Sequence, residues 1–410
     1  MKTECGINII KSNSEIRDYM THVIQKQDDS FYILNLTTLE TKYKEWRSNL
    51  PTVTPFYAVK CNHSIMVIKT LAALGCNFDC ASKSEIKKVL SVGVSPDRII
   101  YANPAKMLSH LDYAAKHGVR MMTYDNASEI DKIKEHYPLA HMVLRIRADA
   151  LDVSVPLGTK FGCDPELGLD LIMAAINKGL KVIGISFHVG SGCREVGAYA
   201  RAIHIACNLI KKAKENNVSL SLLDIGGGFS GNDSLQFSEM SILINEALHE
   251  EREVLKGIRV IAEPGRFFVW SAYTLLTSIN GMKEEGSKIQ YYINDGIYSS
   301  FNCKPTENII KYPTPFKRVQ QGPLKNCCIW GQTNRQLDLV SSHCLLPEMN
   351  VGDWLMFTEM GAYSIPLSMN FNGYPIPNEH YFVTKETWSS IGDFFRNLEK
   401  QKTKEKNNAI

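Results

Sequence analysis

The sequence predicts an α/β protein: a (β/α)8 barrel followed by a C-terminal β-rich domain. Short apolar runs recur eight times between residues 51 and 266, with amphipathic stretches between them. The runs lack strict alternation, as strands buried on both faces do. Beyond about residue 270 helix periodicity gives way to β-type segments separated by Gly and Pro.

The runs are 56–60, 77–81, 99–102, 120–124, 142–147, 182–188, 220–225 and 258–263. Between them, Ile65, Ile68, Leu71, Ala72 and Leu74 follow i, i+3, i+4 spacing, as do Ile86, Val89 and Leu90, and Ala202, Ile205, Ala206, Leu209 and Ile210. Such stripes read most simply as core faces packed on a sheet. Gly75, Gly93 and Gly118 stand where helices are expected to stop. Eight units in about 215 residues fit a closed barrel better than an open doubly wound sheet, and no Gly-x-Gly-x-x-Gly follows the first run. The expected barrel covers 37–270, with a helix started by Thr37. Residues 1–36 and 271–410 then form the β-domain with a short helical tail. Its expected strands are 31–36, 291–298, 326–331, 353–358 and 380–384, and its helix 386–398.

Composition narrows the function. Of 410 residues, 44% are hydrophobic and 22% charged, which excludes disorder as the main state. Lys plus Arg total 46 against 43 for Asp plus Glu, a net charge of +3 that argues against nucleic-acid binding. Lys400, Lys402, Lys404 and Lys406 read as a solvated tail. The opening residues lack the apolar core of a signal peptide, and no run approaches the ~18 apolar residues of a membrane span. Eleven scattered cysteines point to reduced thiols and a cytoplasmic protein. Cys327, Cys328, His343 and Cys344 lack zinc-ligand spacing, so no metal site is expected.

Barrel chemistry lies at the C-terminal ends of the strands. The expected ends carry Lys60, Asp79, Asn103, Asp125, Arg145, His188, Asp224 and Glu263. A lysine ending a buried strand points into the mouth, partly desolvated, as an imine-forming lysine requires; a surface lysine reads equally well. Gly226-Gly227-Gly228 follows the seventh run and Glu263-Pro264-Gly265-Arg266 the eighth. These are the positions of the usual phosphate site, with glycine N–H groups and a guanidinium as donors, although three glycines alone also make a tight turn. A reactive lysine, a phosphate cradle and a carboxylate in one mouth suggest pyridoxal phosphate, with Glu263 keeping the ring nitrogen protonated and His188 stacked on the ring.

The segments PFYAVKCN (55–62), FDCASKSEI (78–86), RIIYANPAK (98–106), SFHVGSGC (186–193), LLDIGGGF (222–229), AEPGRF (262–267), NDGIYSSFNC (294–303) and PEMNVGDW (347–354) closely resemble the eukaryotic ornithine decarboxylase and antizyme inhibitor family. The resemblance covers nearly the whole chain. It implies a pyridoxal-phosphate fold-type-III barrel with a β-domain, in a head-to-tail homodimer with shared active sites. Lys60 would bind the cofactor covalently, His188 would stack on it and Glu263 would pair with the ring nitrogen. Ser191, Gly226, Gly227, Gly228, Gly265, Arg266 and Tyr363 would hold it, largely by the phosphate, and Asp79 and Arg145 would order the site. The resemblance places antizyme binding at about 108–140, where the charge differs here. The sequence ends soon after the expected β-domain, so the long degradation tail of the family's vertebrate members, and rapid turnover through it, is not expected.

The substrate side departs from the family. Trp-Gly-Pro-Thr-Cys-Asp-Gly-Leu-Asp becomes Trp330-Gly331-Gln332-Thr333-Asn334-Arg335-Gln336-Leu337-Asp338. Asn334 replaces the catalytic cysteine, Arg335 replaces the carboxylate that receives a distal ammonium, and Glu307 aligns with the other diamine-binding aspartate. An arginine ~5 Å from that ammonium repels it by about 3 kcal/mol at an effective dielectric near 20, about two decades in affinity. A neutral side chain therefore fits better, with Glu307 and Arg335 paired. The chain also resembles the family's leucine-decarboxylating paralogue, so leucine is the expected substrate. The alternatives are a non-catalytic, antizyme-binding regulator and, disfavoured by Arg335, an ornithine decarboxylase.

Overall fold

The computed structural model describes residues 2–148, 150–231, 233–286, 288–307, 309–316 and 322–408, with backbone only for 13 and 402–408. The chain divides into two compact units, Thr41–Phe268 and Met1–Glu40 with Val269–Ile410.

The first unit is a closed barrel of parallel strands in chain order: Val53–Ala58, Asn77–Cys80, Ile99–Tyr101, Met121–Tyr124, His141–Arg147, Lys181–His188, Leu222–Asp224 and Arg259–Ala262. The last strand pairs back onto the first, with Val260 opposite Val53. Every run expected from the sequence is one of these strands, each trimmed or shifted by one to three residues at its ends. Phe56, Ile100, Val143, Leu222 and Ile261 fill the barrel's interior. Burying each large side chain contributes about 1.5–3 kcal/mol.

The surrounding helices are bounded as their sequences dictate. Ser82 accepts the Glu85 N–H at 3.3 Å while Glu85 reaches back to the Ala81 N–H at 2.6 Å, a reciprocal cap. Asn126 caps Ala127–His136 through the Glu129 N–H at 2.9 Å. Each such cap contributes about 1 kcal/mol. Gly75 and Gly118 adopt φ +92° and +73°, and the next residues close 6→1 bonds, Cys76 N–H to Leu71 and Val119 N–H to Ala114.

One aromatic cluster underlies the glycine-rich turn. Trp46 packs edge-on against Phe229 and Phe267. Tyr199 stacks on Phe229 at 4.6 Å and donates its hydroxyl to the Gly227 carbonyl at 2.9 Å. The helix face predicted between 202 and 210 thus belongs to a helix, Ala198–Glu215, whose first turn also fixes the turn 226–228.

The second unit is built on one sheet, in the order Asn8–Ile10, Asn378–Thr384, Phe31–Asn35, Tyr273–Glu285, Lys288–Ile293, Lys325–Trp330 and Leu339–Leu346. Trp354–Phe357 also pairs with Tyr273–Glu285, and Thr314–Pro315 with Trp354–Phe357. Ile10, Ile16, Met20, Phe31, Leu276 and Phe382 are part of its core. The sequence reading omitted the helix Asn13–Ile24 and the strands Tyr273–Glu285 and Leu339–Leu346, and it ended the last helix at 398, where the structure continues Lys385–Asn408. Among the described residues no helix is long and apolar enough to cross a membrane.

Candidate active site

The parallel register sets one layer of polar groups across the barrel mouth. Ser186 is the register neighbour of both Arg145 and Asp224, and Asp79 sits beside Ala58. Lys60 lies two residues beyond the strand, in the short turn Val59–Cys61. Its Nζ pairs with Asp79 Oδ2. The desolvated lysine expected from sequence is therefore a lysine 37% exposed with a buried carboxylate partner. Burial pushes the Asp79 carboxyl up, while the Lys60 and Arg145 charges pull it back.

Asp224 and Glu263 end the last two strands and interact directly. Both are buried. Burial pushes Asp224 up to about 7. Glu263 lies well above the usual carboxylate range through burial first and the neighbouring Asp224 and Asp79 charges second. Asp224 Oδ2 and Glu263 Oε1 are buried without a hydrogen-bond partner among the described residues. Both carboxyls are thus pushed toward their protonated forms, by burial first and, in Glu263, by the Asp224 charge second.

His188 ends its strand beside them. Burial holds its imidazole well below the usual pKa, and the Arg145 and Lys60 charges act in the same direction. The Gly190 N–H bonds to Nδ1 at 3.0 Å, which makes Nδ1 the acceptor and leaves the proton on Nε2. This is a neutral ring suited to packing against a flat ligand. A Cβ on Gly227 would fall 2.6 Å from the Glu263 carbonyl and 3.0 Å from His188 Nε2, so only glycine lets this turn approach.

The three glycines differ in role. Gly226 commits its N–H to Asp224 Oδ1 at 2.9 Å. It thus supplies conformation and not the expected phosphate donor. The N–H groups of Gly227 and Gly228 have no protein partner among the described residues. Nearby, the buried Arg266 donates Nε–H to Ser191 Oγ at 3.1 Å. Gly265 packs where a Cβ would meet Cys61 Cβ at 2.8 Å, against the turn that presents Lys60. Together these groups fit pyridoxal phosphate. An amine stands with a carboxylate partner, orphaned carboxyl oxygens hold a proton for a ring nitrogen, and an N–H cradle and guanidinium suit a phosphate.

The structure brings Lys60, Asp79, Arg145, His188, Ser191, Gly226–Gly228, Glu263, Gly265 and Arg266 into the barrel unit. The remaining expected residues belong to the other unit. Glu307 ends the helix Cys303–Glu307. Tyr363 holds a left-handed backbone, φ 52°. Asn334 and Arg335 are exposed on the loop after Lys325–Trp330. Arg335 lies over the Phe371 ring at 5.7 Å and has no ion pair among the described residues, so the Glu307–Arg335 pairing expected from sequence is not formed. Sequence reasoning placed Asp224 at a strand end but gave it no role; its position directly before the glycines was the available signal. Ser186, buried with an unpartnered Oγ, was missed, since nothing marks a serine inside an apolar run. Among the described residues no cluster of His, Cys, Asp and Glu could hold a metal ion.

Residues 36–270 match the family model described as pyridoxal-dependent decarboxylase, pyridoxal binding domain. The chain is 42% identical to antizyme inhibitor 2 of Xenopus laevis, covering 99% of this chain and 93% of that one. It is 40% identical to ornithine decarboxylase of Rattus norvegicus, covering 91% and 85%. Among solved structures, arginine decarboxylase of Paramecium bursaria Chlorella virus bound to agmatine superposes with a TM-score of 0.87 at 35% identity, over 90% of this chain and all of that one. The chain thus belongs to the pyridoxal-dependent amino-acid decarboxylases, in the group of the ornithine decarboxylases and antizyme inhibitors, with pyridoxal phosphate as cofactor.

Proposed function

We propose that this protein decarboxylates an L-amino acid with a neutral side chain, leucine in the first place, to the primary amine and carbon dioxide. The observation that carries the choice of side chain is Arg335, a cation with no ion pair among the described residues where the family holds a carboxylate. Pyridoxal phosphate, when bound, supplies the electron sink that accepts the electron pair left by carbon dioxide. The chain's own groups do the rest. Lys60 is the amine that would hold the cofactor, with Asp79 as its ion-pair partner. Asp224 and Glu263, both pushed toward their protonated forms, would face the ring nitrogen. Neutral His188 would pack on the ring, and Ser191, Gly227, Gly228 and Arg266 would hold the phosphate, with Tyr363 assigned there by the family resemblance alone. Asn334 occupies the place of the family's cysteine. An amide is a poor acid, so return of a proton to the α-carbon is slow and falls to water or another group.

We further propose a cytoplasmic homodimer with shared active sites. All eleven cysteines are free thiols, which suits a reducing compartment. Exposed Tyr312, Leu324 and Leu337 on the β-rich unit supply apolar surface for association.

A second reading, an antizyme-binding regulator without catalysis, is favoured by one observation: 42% identity to antizyme inhibitor 2 across the whole chain. One experiment separates the two. Purified protein with pyridoxal phosphate is incubated with leucine, ornithine or lysine, and carbon dioxide and amine are measured. Amine from leucine alone is the expected outcome. Ornithine turnover overturns the reading of Arg335. No visible cofactor absorbance and no turnover favours the regulator.

A further inference from the structure

In the β-rich unit, the loop between Lys325–Trp330 and Leu339–Leu346 is built around one buried carboxylate. Asp338 is 1% exposed. Its Oδ1 accepts the Ile297 N–H at 2.8 Å. Its Oδ2 accepts the Thr333 N–H at 2.9 Å and the Thr333 hydroxyl at 2.7 Å. Its own N–H donates to the Arg335 carbonyl at 3.0 Å, and its carbonyl accepts the Gly331 N–H at 2.7 Å. A Cβ at Gly296 or Gly331 would collide with this carboxyl, so two segments are shaped to receive it.

The loop thus anchored carries Arg335, whose guanidinium lies 5.7 Å from the Phe371 ring centroid. Phe371 in turn stacks on Tyr298, with centroids 4.7 Å apart and planes at 28°. Tyr298 directly follows Ile297, whose N–H Asp338 holds. One carboxylate therefore fixes both the backbone that carries the cation and the backbone next to Tyr298, the ring on which Phe371 stacks.

We infer that Asp338, Phe371 and Tyr298 are positioning residues that pin the Arg335 guanidinium, making it a standing positive charge that excludes amino acids with cationic side chains. This rests on the reading above that Arg335 meets the side-chain end of the substrate. An arginine free to rotate from an exposed loop swings into water, where its field is screened. An arginine paired with a carboxylate is fixed, but its charge is cancelled. Stacking on a ring fixes the guanidinium while leaving its charge uncompensated. Selectivity against a cation requires both properties together.

The experiment compares Phe371→Leu, which keeps an apolar side chain but removes the π face, with Phe371→Trp, which restores one. Asp338→Asn, which keeps one acceptor oxygen, tests the anchor. The first readout is tryptic cleavage after Arg335 in the native protein. It accelerates about three- to fivefold in Phe371→Leu, the factor that a cation–π contact at an exposed site carries. It also accelerates in Asp338→Asn and returns to the wild-type rate in Phe371→Trp. The second readout is spectral titration of the cofactor-loaded protein with leucine and with ornithine. The ornithine Kd falls in Phe371→Leu by a similar factor while the leucine Kd stays. It falls further in Arg335→Ala, where adding Phe371→Leu changes nothing more. Equal cleavage in wild type and Phe371→Leu overturns the pinning. A shifted ornithine Kd in Arg335→Ala but not in Phe371→Leu shows that the charge matters and its fixing does not, which overturns the positioning role. Faster cleavage with no shift in Arg335→Ala overturns instead the reading of Arg335 on which the selectivity rests.

Discussion

The barrel mouth and the 331–338 loop hold their polar side chains in opposite ways. In the mouth, Lys60, Asp79, Asp224 and Glu263 stand on or next to adjacent parallel strands, and each satisfies or charges another. Removing one orphans its neighbour in a buried place. In the loop, Asn334 and Arg335 are exposed, and the burial is delegated to Asp338. Two side chains can be exchanged there without disturbing the fold beneath. The difference teaches where such a chain is free to change: the mouth's polar groups are locked into packing, while the proposed determinants of substrate choice sit on a surface loop.

The sharpest way to break the comparison is at Lys60. Lys60→Ala removes the amine and leaves Asp79 without its ion-pair partner. Turnover is expected to fall on the order of 10⁴-fold, and the visible absorbance of bound cofactor is lost. A variant that keeps the band places the attachment elsewhere. Glu263→Gln comes next. It keeps the shape but cannot exchange a proton with Asp224, and turnover is expected to fall about 10²- to 10³-fold, with the protein still binding cofactor. Arg335→Asp is third. Reversing the charge raises ornithine turnover relative to leucine by about two decades. An unchanged ratio of kcat/KM values sinks the charge assignment.

Both regions were unequally legible. All eight barrel strands could be read from apolar runs because strands buried on both faces need continuous hydrophobicity. In the β-rich unit that rule fails. Tyr273–Glu285 is buried in its first half, but Gly281–Glu285 is largely exposed, so the polar run at its end reads as a loop. Leu339–Leu346 mixes buried and exposed residues without strict alternation, and its pattern is too irregular to stand out. The mouth residues were legible individually because barrel strands end in their functional groups. The raising of Glu263 by Asp224 was not, since it depends on two carboxyls far apart in sequence becoming neighbours across a strand pair. Asp338 was legible only as the retained last residue of the family's segment; its part as the loop's anchor shows only in its burial and hydrogen bonds.

The raised Asp224 carboxyl makes a prediction with a definite sign. Asp224 titrates near 7 in the folded chain and near 3.8 when exposed. Between these values the unfolded chain releases a proton that the folded chain keeps. Through Asp224, stability of the cofactor-free protein therefore falls as pH rises from about 4 to 7. This pH dependence belongs to the raised Asp224 carboxyl. Asp224→Asn removes it while its side-chain oxygen still accepts the Gly226 N–H. The variant's Tm should decline less between pH 5 and 7.5 than that of the wild type, and parallel declines would mean that Asp224 is not the group whose raised carboxyl sets the pH dependence.

The smallest expected effect is the one that most sharpens the contrast. Arg335→Ala and Asn334→Ala remove exposed side chains whose loop is anchored by Asp338 and Thr333. Exposed substitutions of this kind usually change stability by no more than about 0.5 kcal/mol, which is about 1–2 °C in Tm for a unit of this size. Thermal unfolding of both variants beside wild type checks this directly. A loss of several degrees would mean that the loop's side chains are part of the fold after all, and that its departure from the family had to be compensated elsewhere. An unchanged Tm, combined with a changed preference among amino acids for Arg335→Ala, places selectivity and stability on different residues of the same loop. A family can then keep one cofactor site and alter its substrate by few substitutions.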